Sequence, residues 1–257
     1  PSTNGPPMRA IILAAGVGRR LSPYTETTPK CLLEVGGISL LRRYLDAFAV
    51  LGIEEAVIVV GHLEERVRAE AAKGPSGVAI RFIVNDRFTR GNILSLWLAR
   101  EEFCDDILIM DADVLYPREL LARLLAYPDA NAIAVDERLE DTGEEMKVLC
   151  EDGWVVEVTK HAANDPRVRG EAVGFLRLSA DGAEVLRGIL DEFIETGKDN
   201  VEYEDTYREL AAEVPIGVVE VGDLPWAEID FEADLVRART QLLPLVEQLD
   251  RRESLPQ

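Results

Sequence analysis

Apolar runs and amphipathic stretches alternate along the first half of the chain. "MRAIILAAG" (8–16) is a continuous β-branched run ending in small residues, the pattern of a parallel strand buried on both faces. "SLLRRYLDAFAVLG" (39–52) places Leu40, Leu41, Tyr44, Leu45 and Phe48 on one helical face and stops at Gly52. The strand "EAVIVVG", the helix "LEERVRAEAAKG", the strand "VAIRFIVN", the helix "ILSLWLAREEF" and the strand "DILIMDADV" come next, then the helix "RELLARLLAY" and the strand "NAIAVD". This is βαβ rhythm, which predicts a doubly wound, Rossmann-like, mostly parallel sheet.

After about residue 140 the pattern changes. "EMKVLCEDGWVVEVTK" predicts a hairpin turning on Glu151, Asp152 and Gly153. Beyond it lie the strand "EAVGFLRLS", the helices "GAEVLRGILDEFIETG" and "VEYEDTYRELAAE", and the short strands "IGVVEVGD" and "WAEID". A terminal helix, "FEADLVRARTQLLPLVEQLD", is expected to break near Pro244. The organisation predicted is one α/β domain over 8–240 with an inserted antiparallel hairpin region, a helix and tail over 241–257, and a disordered leader or tag remnant over 1–7.

Composition narrows the function classes. With 257 residues, 47% of them hydrophobic, the chain can bury a proper core, and no apolar run approaches a membrane span. The N-terminal stretch lacks the regions of a signal peptide. Three widely spaced cysteines form neither a disulfide framework nor a zinc pattern, so a reducing cytoplasm is the expected home. A net charge of −20 argues against nucleic acid and anionic membranes as partners. Residues 1–33 run against that average, with Arg9, Arg19, Arg20 and Lys30 set against Glu26 alone. That points to a small anionic ligand, the alternative being an uneven scatter of charge.

The first strand runs into Ala14-Ala15-Gly16-Val17-Gly18, at the sheet edge where ligands of open α/β folds bind. Glycines there let backbone N–H groups approach a phosphate. Neither G-x-G-x-x-G, which would need glycine at Leu21, nor a Walker P-loop is present. The chain continues instead as a long loop stiffened by Pro23 and Pro29, with Arg20 and Lys30 as its anion partners. "DILIMDADVLY" then puts Asp111 and Asp113 on one face at the same edge, suited to Mg²⁺ beside phosphates or simply to capping a turn.

Leu13, Ala14, Ala15, Gly16, Gly18, Arg20, Pro23, Thr25, Pro29 and Lys30 together resemble the signature L-A-A-G-x-G-[ST]-R-x-x-P-x-T…P-K of the sugar-phosphate type nucleotidyltransferases. Arg19 departs from it, losing a hydroxyl contact or adding a charge near the triphosphate. Within that family the chain is most similar to bacterial phosphocholine and aminoalkylphosphonate cytidylyltransferases, through "YTETTPKCLLEVGGISLL", "GNILSLWLARE", "MDADVLY" and "WAEIDFEADL". The resemblance implies CTP as donor, Arg20 on its outer phosphates and Lys30 by the α-phosphate. It also implies Ala14, Ala15 and Gly16 along the base and ribose, and Asn92 and Ser95 near the nucleotide. Mg²⁺ would lie between Asp113 and Asp230, with Glu228 a neighbour on the same face. A homodimer is compatible with it.

The implied reaction needs no general base, because a phosphate oxygen is already ionised at neutral pH. His62 and His161 are accordingly read as surface or packing residues. For the acceptor, the family's choline enzymes carry aromatic residues where this chain offers Glu145, Lys147, Tyr203, Glu204 and Asp205. Carboxylates suit a primary ammonium or hydroxyls better than a trimethylated nitrogen, and Lys147 and Lys160 suit a phosphate or phosphonate; the alternative is a solvated charged face. The expectation is therefore a small phosphonate or phosphoester such as 2-aminoethylphosphonate. A sugar-1-phosphate nucleotidylyltransferase and a non-catalytic nucleotide-binding homologue are the other readings, although Lys30 and both metal aspartates are retained. An exposed loop lysine at position 30 is expected to matter little to the fold.

Overall fold

The computed structural model describes residues 8–139, 142–162 and 164–253; the leader expected over 1–7 lies outside them. In chain order the elements are β1 (Met8–Ala14), the two-residue strands β2 (Glu34–Val35) and β3 (Ile38–Ser39), α1 (Leu40–Leu51), β4 (Glu55–Val60), α2 (Glu64–Ala71), β5 (Ala79–Val84) and α3 (Ile93–Leu98). Then come β6 (Asp106–Asp111), β7 (Val114–Leu115), α4 (Arg118–Ala126), β8 (Ala132–Asp136), β9 (Lys147–Glu151), β10 (Trp154–Thr159) and β11 (Val168–Leu178). The chain closes with α5 (Ala180–Glu195), α6 (Tyr207–Glu213), β12 (Gly217–Glu220), β13 (Ala227–Glu228), α7 (Glu232–Arg237) and α8 (Leu243–Glu253).

The main sheet runs β10-β9-β11-β6-β1-β4-β5, with β8 pairing β11 and β12. β6, β1, β4 and β5 are parallel, and β11 lies antiparallel to β6, β8 and β9. This is the predicted mostly parallel α/β sheet with an antiparallel insertion. Side chains alternate across it as strand geometry demands. Ile12, Ile58, Leu108 and Met110 pack on one face with α1 and α4, while Ile11, Val57, Ile107 and Ile109 pack on the other with α3, α5 and α6.

The register Leu13↔Asp111 brings the end of β1 beside the end of β6, so the glycine loop and Asp111 share one sheet edge. A third apolar cluster, holding Leu21, Leu33, Leu40, Leu115, Ile229, Leu235, Leu242 and Val246, ties that loop to the C-terminal helices. The expected break near Pro244 is absent. α7, a π-helical turn at Ala238–Leu242 and α8 run on continuously, and Pro244 stands at the second position of α8, just past the wide turn. A widened turn shifts the hydrogen-bond register and so accommodates a residue that has no N–H to donate. The helices expected over 93–103 and 201–213 each include a 3₁₀ portion, at Ala99–Glu102 and Tyr203–Thr206.

Candidate active site

The loop after β1 is a chain of 3₁₀ turns, Arg19–Leu21, Tyr24–Glu26 and Lys30–Leu32. Gly18 makes the first bend with φ near 65°, a backbone state that favours glycine. Its carbonyl accepts Thr25 Oγ1–H at 2.7 Å, folding the loop back on itself. His62 braces the same loop, its N–H donating to the Ala15 carbonyl at 3.1 Å and its ring nitrogen lying 3.2 Å from the Thr25 carbonyl. The loop forms one wall of a cleft of about 1200 Å³, to which Gly18, Arg19, Arg20 and Lys30 contribute.

Opposite stands a carboxylate cluster built by a small non-local ladder. β7 pairs antiparallel with β13, setting Val114 against Glu228 and Leu115 against Ala227. The Ile229 N–H donates to the Asp113 carbonyl at 3.0 Å and completes the junction. Asp113, Glu228 and Asp230 consequently converge, with one oxygen of each within 4.8 Å of the others. The Asp113 Oδ1 is buried and has no hydrogen-bond partner. The Asp234 carboxylate caps the next turn, accepting the N–H groups of Asp230 (3.0 Å) and Phe231 (2.7 Å).

Lys30 closes the gap. Its Nζ donates to Asp230 Oδ1 at 2.5 Å and to Asp113 Oδ2, and Glu228 lies 3.9 Å away. The exposed loop lysine expected from the sequence is in fact a largely buried one, its side chain 15% accessible. Burial alone would lower the pKa of its ammonium, but Asp113 and Asp230 outweigh it and hold it above its ordinary value. Arg20 donates to Asp230 at 3.2 Å and to Glu144 at 2.6 Å, over the Phe231 ring.

Asp111 occupies the cleft floor. Its Oδ2 accepts the Tyr203 hydroxyl at 2.9 Å. Burial first, then the Glu204 and Asp113 carboxylates, push its pKa well up. β11 passes so close here that a Cβ on Gly174 would sit 2.3 Å from Asp111 Oδ2. Tyr44, predicted as a core residue of α1, is buried with its Oη accepting the Val114 N–H at 3.0 Å and lying 2.9 Å from the Asp111 carbonyl. It clamps the turn that carries Asp113.

The remaining predicted residues divide. Asn92, Glu145, Lys160 and Glu204 line the cleft with those already named. Asn92 Oδ1 accepts the Tyr203 N–H at 2.6 Å and makes no N-terminal cap with its side chain. Glu145 ties its own loop, accepting the Thr142 and Gly143 N–H groups. Lys147, expected at the acceptor, is 1% accessible, with Nζ 3.3 Å from the Lys160 carbonyl. Tyr203 is likewise buried and reaches the site through its hydroxyl on Asp111. Asp205 points to the backbone, its Oδ2 accepting the Glu202 N–H at 3.1 Å. Ser95 is buried and takes a hydrogen bond from Asn85 at 3.0 Å, which braces the entry to α3. These four sit off the cleft wall because local packing uses them. Leu13 and Ala14 end β1, and Ala15 and Gly16 follow it; none of these four expected nucleotide contacts lines the cleft, and Gly16 is exposed with open space where a Cβ would stand.

Sequence reasoning passed over several wall residues. Asp136 ends β8 at the same sheet edge, is held by Arg138 through two contacts of 3.0 and 3.1 Å, and accepts the Trp226 indole N–H at 2.6 Å. The strand-end rule that located Asp111 also applies to it. Glu171 lines the cleft from β11; burial, then Glu145 and Asp136, push its carboxyl up to about 7. Burial also raises Glu204 to about 8, with Glu202 and Glu228 adding to the effect.

A mixed α/β sheet with a cationic loop and a carboxylate cluster at one edge defines a Rossmann-like nucleotidyltransferase architecture. The chain belongs to the MobA-like NTP transferase domain family, whose model matches residues 10–192. It is 32% identical over 257 residues to the CMP-5'-(3-aminopropyl)phosphonate synthase of Streptomyces rubellomurinus, covering 97% of this chain and 41% of that protein. The chain thus spans less than half the length of that relative. To the 2-aminoethylphosphonate cytidylyltransferase of Lancefieldella rimae it is 26% identical over 242 residues, covering 91% and 92% of the two chains. The solved CTP:phosphocholine cytidylyltransferase of Streptococcus pneumoniae matches with a TM-score of 0.69 at 25% identity, over 90% of this chain and 97% of that one. Among the described residues no helix is long and apolar enough to cross a membrane.

Proposed function

We propose that this chain transfers CMP from CTP to a small phosphonate or phosphoalcohol acceptor and releases pyrophosphate. The observation that carries the reading is the convergence of Lys30, Arg20, Asp113 and Asp230 at the mouth of the glycine loop. The relatives named for aminopropylphosphonate, aminoethylphosphonate and phosphocholine chemistry support the acceptor class.

The donor set at Asp113, Glu228 and Asp230 is all carboxylate oxygen, and Asp113 keeps one buried oxygen without a partner. That fits a hard divalent cation such as Mg²⁺. These three residues would hold it, and when bound it supplies charge neutralisation on the phosphates. The protein's own share is positioning. Gly18 and the turn after it present backbone N–H groups to the triphosphate, Arg20 neutralises outer phosphate oxygens, and Lys30 follows charge at the α-phosphorus. An ionised acceptor oxygen attacks that phosphorus, a new P–O bond forms, and the α–β bridge breaks with its electron pair leaving on pyrophosphate.

Thermal-shift measurements with CTP, UTP, GTP and ATP plus Mg²⁺ test the donor, followed by pyrophosphate release with an acceptor panel. The expected result is the largest shift with CTP and turnover with a phosphonate or phosphoalcohol. Equal shifts for all four nucleotides, or turnover with sugar 1-phosphates alone, would overturn the reading.

A further inference from the structure

The cleft is strongly anionic for a site that binds anions. Among the described residues twelve carboxylates and six lysines and arginines line it. Four of those cations already face carboxylates: Lys30 at Asp113 and Asp230, Arg20 at Asp230 and Glu144, Arg138 at Asp136, and Lys160 3.7 Å from Glu202.

Glu204 stands apart within this wall. It is 7% accessible, it lines the cleft, and its Oε2 has no hydrogen-bond partner. The 3₁₀ turn that carries it is held by other groups. Asp205 caps the Glu202 N–H, Asn92 Oδ1 takes the Tyr203 N–H, and Thr206 Oγ1 donates to the Tyr203 carbonyl at 2.6 Å. A buried carboxylate oxygen that serves neither the turn nor an ion pair is costly, and such groups are retained where a ligand completes them. Of the groups that act on it electrostatically, Glu202, Glu228 and Asp111 are themselves acidic and supply no cation; the Tyr203 hydroxyl, which donates to Asp111, also favours the ionised form of Glu204 but leaves Oε2 without a partner. Burial first, then the Glu202 and Glu228 carboxylates, raise the pKa of Glu204, a cost of ionising it that a neighbouring ammonium offsets.

Little aromatic surface beside it is open. Tyr203 and Tyr207 are buried against each other with ring centres 5.8 Å apart. Of the rings that line the cleft, Phe231 is covered by the Arg20 guanidinium, and Trp226 is tethered at its edge, its indole N–H donating to Asp136. A quaternary ammonium wants aromatic faces and has no N–H to give, whereas a primary ammonium offers three donors to a carboxylate.

Resting on the cytidylyltransferase reading above, we infer that Glu204 selects acceptors bearing a protonated primary amine. Its free Oε2 accepts an ammonium N–H while the acceptor's phosphonate lies toward Lys30. Glu204 is thus a specificity residue for one end of the acceptor, outside the reacting centre.

Steady-state kinetics with CTP and 2-aminoethylphosphonate, ethylphosphonate or phosphocholine test this in wild type and Glu204→Gln. Wild type is expected to prefer the amino compound over ethylphosphonate, which lacks only the amine. The variant should lose about 10- to 100-fold in kcat/KM for aminoethylphosphonate, mostly through KM, as removal of a charged hydrogen bond predicts. Its kcat/KM for ethylphosphonate should fall far less than that for aminoethylphosphonate, and CTP should still raise its melting temperature. Its melting temperature should be no lower than wild type, because glutamine fills the same volume and cannot take on the costly buried charge. Equal losses for both phosphonates, no loss for either, or a markedly lower melting temperature would overturn the assignment while leaving the reaction in place. A wild type that binds CTP yet transfers to none of the three acceptors would overturn the reaction itself, and the assignment with it.

Discussion

Lys30 Nζ lies 2.5 Å from Asp230 Oδ1 and also donates to Asp113, so an ammonium fills the gap between two carboxylates 117 positions apart in sequence. Removing it leaves Asp113, Glu228 and Asp230 repelling one another in a partly buried cluster. Lys30→Met should therefore destabilise the protein in metal-free buffer by about 2 kcal/mol, roughly 4–8 °C in melting temperature. Added Mg²⁺ should restore more stability to the variant than to wild type. Turnover with CTP should fall by about 10²-fold or more, as loss of a charge-stabilising group at the reacting phosphorus predicts. Melting curves with and without MgCl₂ check the first two outcomes. A variant as stable as wild type without metal, and equally indifferent to Mg²⁺, would contradict them.

Gly174 is required by the floor of the cleft. It has φ near 82°, and a Cβ there would meet Asp111 Oδ2 at 2.3 Å. Gly174→Ala should cost about 1–3 kcal/mol and displace Asp111 from the Tyr203 hydroxyl, lowering turnover as well. Gly188, exposed on α5 with open space around its missing Cβ, is the control. Gly188→Ala should be neutral or stabilising by up to about 1 kcal/mol. Denaturant titration of the two variants separates the effects.

Glu171 makes stability depend on pH. Its carboxyl is raised from 4.5 to about 7 by burial and by Glu145 and Asp136. Between those values the folded protein holds a proton that the unfolded chain has released. Stability contributed by this group therefore falls as pH rises through that window, and the loss is complete above about pH 7. Glu171→Gln removes the penalty. The variant should melt no higher than wild type near pH 5 and several degrees higher near pH 8, where the cost of the buried charge is fully felt. Parallel melting curves across pH 5–8 check the crossover.

Much of the fold was legible. The continuous run from Met8 and the amphipathic stretch ending at Gly52 became β1 and α1, with Ser39 accepting the Arg42 N–H and Gly52 at φ near 78°. Pro244 misled because a single residue type was read as a break, whereas a π turn before it absorbed the mismatch. At the site, strand-end position and spacing put Asp111 and Asp113 at the sheet edge, where both line the cleft. The same residue types misled at Lys147, Ser95 and Asp205, since whether a polar side chain faces a cleft or satisfies nearby backbone depends on packing.

The sequence by itself determined the βαβ scaffold, the bend at Gly18, the cationic loop and the aspartates at the end of β6. These arise from local preference: side-chain period, backbone freedom at glycine and charge types at fixed spacing. Tertiary structure decided which distant groups meet. The pairing of β7 with β13 set Glu228 and Asp230 against Asp113 and turned Lys30 from a loop lysine into a buried bridge. The 3₁₀ turn beside α6 left Glu204 facing the cleft with one unpartnered oxygen. Burial and convergence of like charges arise from long-range pairing, and no local pattern encodes their distances.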